Sequence, residues 1–175
     1  MKLDNALSLI RDIPDYPEPG ILFRDITPLL ADQTAFEVVT ESLLSFDRSA
    51  SHIAGIEARG FILASAMAIK GGAGFVPIRK AGKLPHAVFS QSYSLEYGSA
   101  TLEIHQDALV TSSKVLLVDD VLATGGTIMA ALELIQKAGG AISHLCVLLE
   151  ITALDGRALI SREFPDIQIH SLVQV

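Results

Sequence analysis

The chain has 175 residues, 50% of them hydrophobic, and a formal net charge of −7 at pH 7. This length suits one domain with a substantial core, and the negative charge argues against a general binder of nucleic acid or anionic membranes, which needs a positive surface. No apolar run is long enough to span a bilayer, and the N-terminus lacks the apolar region of a signal peptide, so we expect a cytoplasmic protein. The one cysteine, Cys146, lies in an apolar run that favours inert burial, and the five histidines lack metal-ligand spacing.

The N-terminal segment begins with a helical pattern and then becomes rich in proline. Leu3, Leu7 and Ile10 recur with the period of a short amphipathic helix, which Pro14 would end. Residues 14–30 contain four prolines, so we expect a stiffened, extended segment. A plain N-terminal arm that packs on the core or on a partner subunit is the alternative.

A second helix is predicted to begin after a capping residue, either Asp32 or Thr34, because both side chains can accept a hydrogen bond from the first turn. The apolar positions that predict its buried face are Phe36, Val39, Leu43 and Leu44.

Two predicted strands are followed by positively charged turns. The strand at residues 52–56 leads to a turn with Arg59 and a helix at residues 61–70, and the strand at residues 74–78 leads to a basic loop. The cations of that loop are Arg79, Lys80 and Lys83. Arg59 is either a helix-surface cation or a ligand for pyrophosphate. Because ligands bind at the carboxyl edge of an open parallel sheet, three cations at one strand exit favour a polyphosphate ligand over a merely solvated loop.

Residues 87–105 depart from the alternation of strand and helix. Residues 87–93 and 99–105 alternate polar and apolar side chains, as half-exposed antiparallel strands do. We therefore predict a hairpin flap that closes over a site and excludes water.

The most informative stretch follows the flap. Residues 115–118 form an apolar run that predicts a strand buried on both faces, and Asp119 and Asp120 are expected where this strand leaves the sheet. The next turn has two hydroxyls and two glycines at the start of a helical pattern, which favours an anion site. Its residues are Ala123, Thr124, Gly125, Gly126 and Thr127.

Two acids beside a phosphate site fit a ligand that has a phosphate and a vicinal diol, such as a ribose 5′-phosphate. An ordinary loop with an acidic N-cap is the alternative. The chain ends with predicted strands at residues 143–150 and 167–173 around a helical turn at 155–161. The alternation predicts an α/β fold, with a mostly parallel sheet and helices on both faces, in a single domain of residues 1–175.

Five segments resemble those of the type I phosphoribosyltransferase family in order and spacing, and most closely its adenine-using members. They are PDYPEPGILFRDITPLL, GIEARGF, RKAGKLP, YSLEYG and LLVDDVLATGGT. The resemblance implies a hood at residues 1–33, a flap at residues 87–105, and transfer of the phosphoribosyl group of phosphoribosyl diphosphate (PRPP) to adenine. The products would be AMP and pyrophosphate, in purine salvage. Mg²⁺ would enter on PRPP without direct protein ligands, and the enzyme would be a homodimer without nucleic-acid or membrane partners.

The resemblance also assigns roles to individual residues. Asp119 and Asp120 would bind the ribose hydroxyls and take part in catalysis, and Glu96 would exchange a proton with the purine beside Tyr97 as part of the lid. The 5′-phosphate would contact Ala123, Thr124, Gly125, Gly126 and Thr127. Pyrophosphate would contact Arg59, Arg79, Lys80 and Lys83. Adenine would contact Leu22, Phe23 and Arg24.

Two alternative functions stay open at this point. One is salvage of another purine, such as xanthine or guanine. The other is a PRPP-sensing regulator of the same fold, although the chain has neither an added domain nor a net positive charge for a nucleic-acid partner.

Overall fold

A computed structural model of the chain describes residues 1–94 and 98–175. The chain divides into two compact units, Met1–Ser42 and Leu43–Val175. The helices are α1 (Leu3–Leu7), α2 (Thr27–Ala31), α3 (Gln33–Leu44), α4 (Arg59–Gly71), α5 (Gly126–Lys137) and α6 (Gly156–Glu163), with a 3₁₀ turn at Thr152–Leu154. The strands are β1 (Arg11–Pro14), β2 (Leu22–Asp25), β3 (His52–Ile56), β4 (Gly74–Lys80), β5 (Val88–Ser94), β6 (Ser99–His105), β7 (Ser113–Leu122), β8 (Gly140–Glu150) and β9 (Gln168–Gln174).

The first unit contains an antiparallel pair, β1 and β2, in which Ile13 lies opposite Phe23. The predicted N-terminal helix ends at Leu7 and does not reach Pro14, because β1 occupies the intervening residues and pairs with β2. The proline-rich arm likewise contains β2 and the short helix α2, so it is extended only in part. Asp32 is the capping residue, since its Oδ1 accepts a hydrogen bond from the backbone N–H of Ala35 at 2.8 Å.

The second unit is built on a seven-stranded sheet in the order β5-β6-β4-β3-β7-β8-β9. The five strands from β4 to β9 in this order are parallel, whereas β6 runs antiparallel to both β4 and β5. The prediction of a mostly parallel sheet with helices and an antiparallel hairpin is therefore confirmed. Because β3, β4 and β7 run in one direction, their carboxyl ends lie at one edge of the sheet.

The central strands are apolar, as continuous burial on both faces requires. Residues 115–118 of β7 and residues 53 and 54 of β3 are almost fully buried. Helix α4 packs against β3 and β7, and α5 packs against β7 and β8. This packing fixes the starts of α4 and α5, which follow the carboxyl ends of β3 and β7. In the part of the chain that the structure describes, no helix combines the length and the apolar character needed to cross a bilayer.

Candidate active site

The acid pair, Asp119 and Asp120, lies inside β7. The sequence predicted that the pair follows the strand, but that prediction is wrong, because β7 stays paired with β8 beyond residue 118. Asp119 lies opposite Val147 and Leu122 lies opposite Glu150 in this pairing. The backbone N–H of Asp120 also donates a hydrogen bond of 2.9 Å to Oδ1 of Asp119. The strand pairing therefore holds the backbone of both acids in place.

The start of α4 contacts both carboxylates. Nε of Arg59 lies 2.8 Å from Oδ2 of Asp120, which is an ion pair by distance without the angles of a hydrogen bond. The side chain of Asp120 is only 8% exposed. A Cβ atom on Gly60 would lie 2.8 Å from Oδ1 of Asp119, so only glycine allows this close approach.

The two carboxyl groups have unusual electrostatics. Burial, and next the charge of Asp120, raise the pKa of Asp119 well above its ordinary value. Burial also raises the pKa of Asp120, and the Arg59 guanidinium opposes that rise. Desolvated carboxylates gain most from a ligand that donates hydrogen bonds, as the hydroxyls of a sugar do.

The glycine loop (residues 123–127) joins the end of β7 to α5. Gly125 is the N-cap of α5 and has a φ of +88°, a left-handed conformation that favours glycine. The helix begins at Gly126, which exposes the backbone N–H groups of its first turn. The threonine hydroxyls and these N–H groups are suited to bind a phosphate.

Asp119 and the glycine loop meet at a small cavity of about 80 Å³. Its lining residues are Asp119, Val121, Ala123, Thr124, Gly125, Thr127 and Ile128. Side chains alternate between the two faces of a strand, so Asp119 and Val121 line the cavity and Asp120 does not. Asp120 pairs with Arg59 instead. The structure thus brings Asp119 and most of the predicted phosphate ligands to one site.

Glu57, at the end of β3, organises the basic loop (residues 79–83). Its two carboxylate oxygens accept hydrogen bonds of 3.2 Å from Nε and Nη2 of Arg79, and Oε2 accepts another of 3.1 Å from the backbone N–H of Lys80. The Arg79 hydrogen bonds lower the pKa of Glu57. Nη1 of Arg79 also donates to the backbone carbonyl of Lys83 at 3.2 Å. The sequence reasoning missed Glu57, although its position directly after a strand, on the same sheet edge as the cations, was a signal for it.

Lys80 and Lys83 differ from Arg79 in their surroundings. Both lysines are exposed. Within residues 1–94 and 98–175, neither of their ammonium groups forms an ion pair. The two amines are therefore available to an anionic ligand at the carboxyl edge.

Comparisons with known proteins agree with this geometry. A family model of the phosphoribosyl transferase domain matches residues 30–169. A protein of Streptomyces avermitilis named adenine phosphoribosyltransferase is 52% identical over 171 residues, which are 97% of this chain and 94% of that protein. The chain belongs to the adenine phosphoribosyltransferase family.

Solved structures of this family share the whole fold. The adenine phosphoribosyltransferase of Thermoanaerobacter pseudethanolicus superposes with a TM-score of 0.92 and 44% identity, over 99% of this chain and 100% of the other. The enzyme of Giardia lamblia, solved in complex with 9-deazaadenine, gives a TM-score of 0.91 at 39% identity, over 100% of this chain and 98% of the other.

The adenine-binding residues predicted by resemblance to the adenine phosphoribosyltransferases belong to the first unit. Leu22, Phe23 and Arg24 lie on β2, where the Phe23 ring packs edge-on against Tyr16 at 5.2 Å between centroids. Arg24 forms an ion pair with Asp12. The assignment of these three residues to adenine stays a prediction.

The flap of this adenine phosphoribosyltransferase family member reaches the glycine loop at its base. Strands β5 and β6 pair from Val88 to Ser94, and a Cβ atom on Gly126 would lie 3.4 Å from the backbone oxygen of Ser94. The predicted proton-transfer residue Glu96 and the predicted lid residue Tyr97 lie outside the described residues. Their roles stay predictions, but they follow closely on a strand end that contacts the site.

The single cysteine is buried, as the sequence predicted. Cys146 is buried in β8, and burial raises the pKa of its thiol, so the thiolate nucleophile is disfavoured. Across residues 1–94 and 98–175, no group of three histidine, cysteine or carboxylate side chains is placed to hold a metal ion.

Proposed function

We propose that this chain transfers the 5-phosphoribosyl group of PRPP to adenine and releases AMP and pyrophosphate, as its family membership indicates. The observation that carries this proposal is the cavity shared by Asp119 and the glycine loop. A carboxylate and a phosphate-binding loop a few ångströms apart fit a ligand in which a diol and a phosphate belong to one sugar.

In this proposal the ribose and its phosphate occupy the end of β7. Asp119 and Asp120 accept hydrogen bonds from the ribose hydroxyls, which replace the water that their burial excludes. The 5′-phosphate contacts the residues of the glycine loop, namely Ala123, Thr124, Gly125, Gly126 and Thr127. The Arg59 guanidinium, paired with Asp120, opposes the rise that burial causes in the pKa of that carboxyl.

The diphosphate then extends toward the ends of β3 and β4. Arg59, Arg79, Lys80 and Lys83 are the cations that we assign to it. Mg²⁺ enters as part of the substrate, bound to the diphosphate of PRPP. Breaking the bond at the anomeric carbon builds positive charge on the ribose ring and negative charge on pyrophosphate, so these cations stabilise the leaving group.

The purine and its proton are assigned to the hood and the flap. We propose that Leu22, Phe23 and Arg24 bind adenine, and that Glu96 exchanges a proton with the purine while Tyr97 covers it. Closure of the flap would exclude water and protect the cationic ribose from hydrolysis. A cytoplasmic location also stays a prediction from the sequence.

We further propose that the enzyme is a homodimer. Ile62 and Ile69 lie seven residues apart on one face of α4, and their side chains are 42% and 86% exposed. Two exposed isoleucines on one helix face favour burial of that face against a second copy of the chain. Sedimentation at equilibrium should give twice the mass of 18.7 kDa, and Ile69→Glu should shift the equilibrium toward monomer.

The test of the reaction is product formation from PRPP and Mg²⁺ with adenine, hypoxanthine, guanine and xanthine, with the Asp119→Asn, Asp120→Asn double variant as background. AMP should form from adenine and no nucleotide from the other bases. Preferential turnover of another base would replace adenine in the proposal. PRPP binding without any product would instead indicate a regulator.

A further inference from the structure

The start of α6 contacts the glycine loop, although no predicted role accounts for it. Gly156, the first residue of α6, is buried. A Cβ atom there would overlap the carbonyl oxygen of Ala123 and would lie 2.9 Å from the backbone nitrogen of Gly125. Conversely, a Cβ atom on Gly125 would lie 3.1 Å from the carbonyl oxygen of Gly156. The two backbones therefore touch directly, and each approach requires glycine.

Arg157, the next residue of α6, is anchored to the end of β8 and to the start of β9. Its Nε and Nη2 donate hydrogen bonds of 2.8 and 2.5 Å to the two carboxylate oxygens of Glu150, and Nη1 donates one of 2.8 Å to the backbone carbonyl of Ile169. Such paired donation fixes the orientation of the guanidinium as well as its position.

Glu150 is itself held firmly. It is 3% exposed, and Oε2 also accepts hydrogen bonds from the side chains of Ser171 at 2.8 Å and Gln174 at 3.1 Å. The residue after it, Ile151, donates its backbone N–H to the carbonyl of Leu122 at 2.9 Å. Leu122 is the last residue of β7 before the glycine loop, so the residue after Glu150 also holds the start of the loop to the sheet.

We propose that Gly156 and the Arg157–Glu150 pair are positioning residues for the 5′-phosphate. Gly156 sets how closely α6 approaches the glycine loop, and Arg157 holds the first turn of α6 at that distance. This inference rests on the proposed assignment of the glycine loop to the 5′-phosphate. A loop displaced by a fraction of an ångström would lose contacts to a phosphate without altering the adenine or pyrophosphate contacts.

Steady-state kinetics of Gly156→Ala test the proposal. The KM for PRPP and the inhibition constant of AMP, which both report the 5′-phosphate, should each rise by about tenfold. The KM for adenine and the inhibition constant of pyrophosphate should stay within about twofold. Equal increases in all four constants would overturn the proposal, because they would indicate general loss of structure.

Arg157→Lys and Arg157→Gln provide a second test if Gly156→Ala does not fold. Lysine keeps the charge but not the paired geometry, so the PRPP and AMP constants should rise by about threefold with lysine and by about tenfold with glutamine. Unchanged PRPP and AMP constants in both folded variants would overturn the role of Arg157.

Two control variants separate the possible failures. Gly140→Ala is a matched glycine substitution, since its Cβ would lie 2.6 Å from Ile135 Cγ2 and 2.9 Å from Leu109 Cδ1, in the core and away from the glycine loop. It should lower the melting temperature without changing the KM for PRPP. Thr127→Val removes a hydroxyl of the loop itself. If Thr127→Val leaves the PRPP and AMP constants unchanged, the phosphate assignment fails; if it raises them while the α6 variants do not, only the positioning role fails.

Discussion

The glycine loop and the basic loop form the two proposed ends of the PRPP site, and they are stabilised in different ways. The glycine loop is held by packing: Gly125 touches Gly156, and Gly126 lies close to the base of the flap. The basic loop is held by charge: Glu57 binds Arg79 and the backbone of Lys80, while Lys83 stays exposed. One end therefore depends on precise backbone positions, and the other on electrostatic attraction.

This difference suits the two halves of the proposed substrate. A terminal phosphate bound by backbone N–H groups needs those groups at fixed positions, because each hydrogen bond is sensitive to distance and angle. A diphosphate with Mg²⁺ is attracted by nearby positively charged side chains even when their positions are not exact, because Coulomb interactions decline slowly with distance. Substitutions at the two ends should consequently differ in their size and in their response to salt.

Glu96→Gln should have the largest effect, because neither end of the PRPP site supplies the proposed proton transfer. Glutamine keeps the hydrogen-bonding shape but cannot exchange the proton, so the chemical step should slow by about ten- to a thousandfold. Affinity for PRPP should stay within about threefold. Single-turnover measurements with both substrates saturating are needed, since product release can mask a chemical defect. A wild-type single-turnover rate would mean that the flap only covers the site.

Asp119→Asn and Asp120→Asn should have the next largest effects. They test the end of the PRPP site that contains the glycine loop. The amide keeps the shape of the carboxylate but loses charge-assisted acceptance from a ribose hydroxyl. We expect each variant to lose about 1.5 to 3 kcal/mol of transition-state stabilisation in kcat/KM for PRPP. Because Asp120 is nearly buried, this loss should hardly change between low and high salt. Unchanged kcat/KM in both variants would remove the ribose assignment.

Lys83→Ala tests the basic loop and should have a smaller effect on catalysis than the aspartate variants. The KM for PRPP and the inhibition constant of pyrophosphate should rise together by about three- to tenfold at low ionic strength. The effect should shrink in about 0.5 M salt, because an exposed charge is screened there. The control is Lys114→Ala, which removes an exposed lysine at the start of β7, at the opposite edge of the sheet from the site. Weaker adenine binding with unchanged pyrophosphate inhibition would show that the loop is misassigned.

Sequence patterns predicted the secondary structure around the glycine loop, but not the exact end of the strand before it. The apolar run before the acid pair predicted β7, and the two glycines predicted a tight loop before a helix. The end of β7 was misplaced because a strand ends where its pairing ends, and the pairing partner, β8, lies more than twenty residues further along the chain. The residues around the end of β7 do not indicate how far its pairing with β8 extends.

The residues that the sequence did not reveal act through distant contacts. Glu57 binds Arg79, which is 22 residues away, and Gly156 meets a loop some thirty residues before it. The position of Glu57 directly after a strand was a signal, but the local sequence of neither residue identifies its distant partner. The aspartates and the glycine loop could be proposed from sequence because their motif is contiguous.

Asp119→Asn should also change stability, which is the smallest of the expected effects. The pKa of Asp119 is raised in the folded protein, mainly by burial and then by the charge of Asp120. A carboxyl with a higher pKa in the folded state favours folding at low pH, and that contribution is lost as the pH rises through the folded-state pKa. Above the folded-state pKa the charged side chain therefore lowers the free energy of unfolding, and asparagine removes this cost.

We expect Asp119→Asn to be more stable than wild type by on the order of 1 kcal/mol near pH 8, with a smaller difference near pH 5. The hydrogen bond from the Asp120 N–H can persist, because asparagine has an acceptor at the same Oδ1 position. Urea denaturation of both proteins at the two pH values measures the difference directly. Asp120→Asn is the matched control, and it should gain less, because it loses the ion pair with Arg59. If Asp119→Asn were instead less stable at both pH values, the Asp119 carboxylate would stabilise the fold. It would then not be a buried charge that lowers stability and is kept for substrate binding.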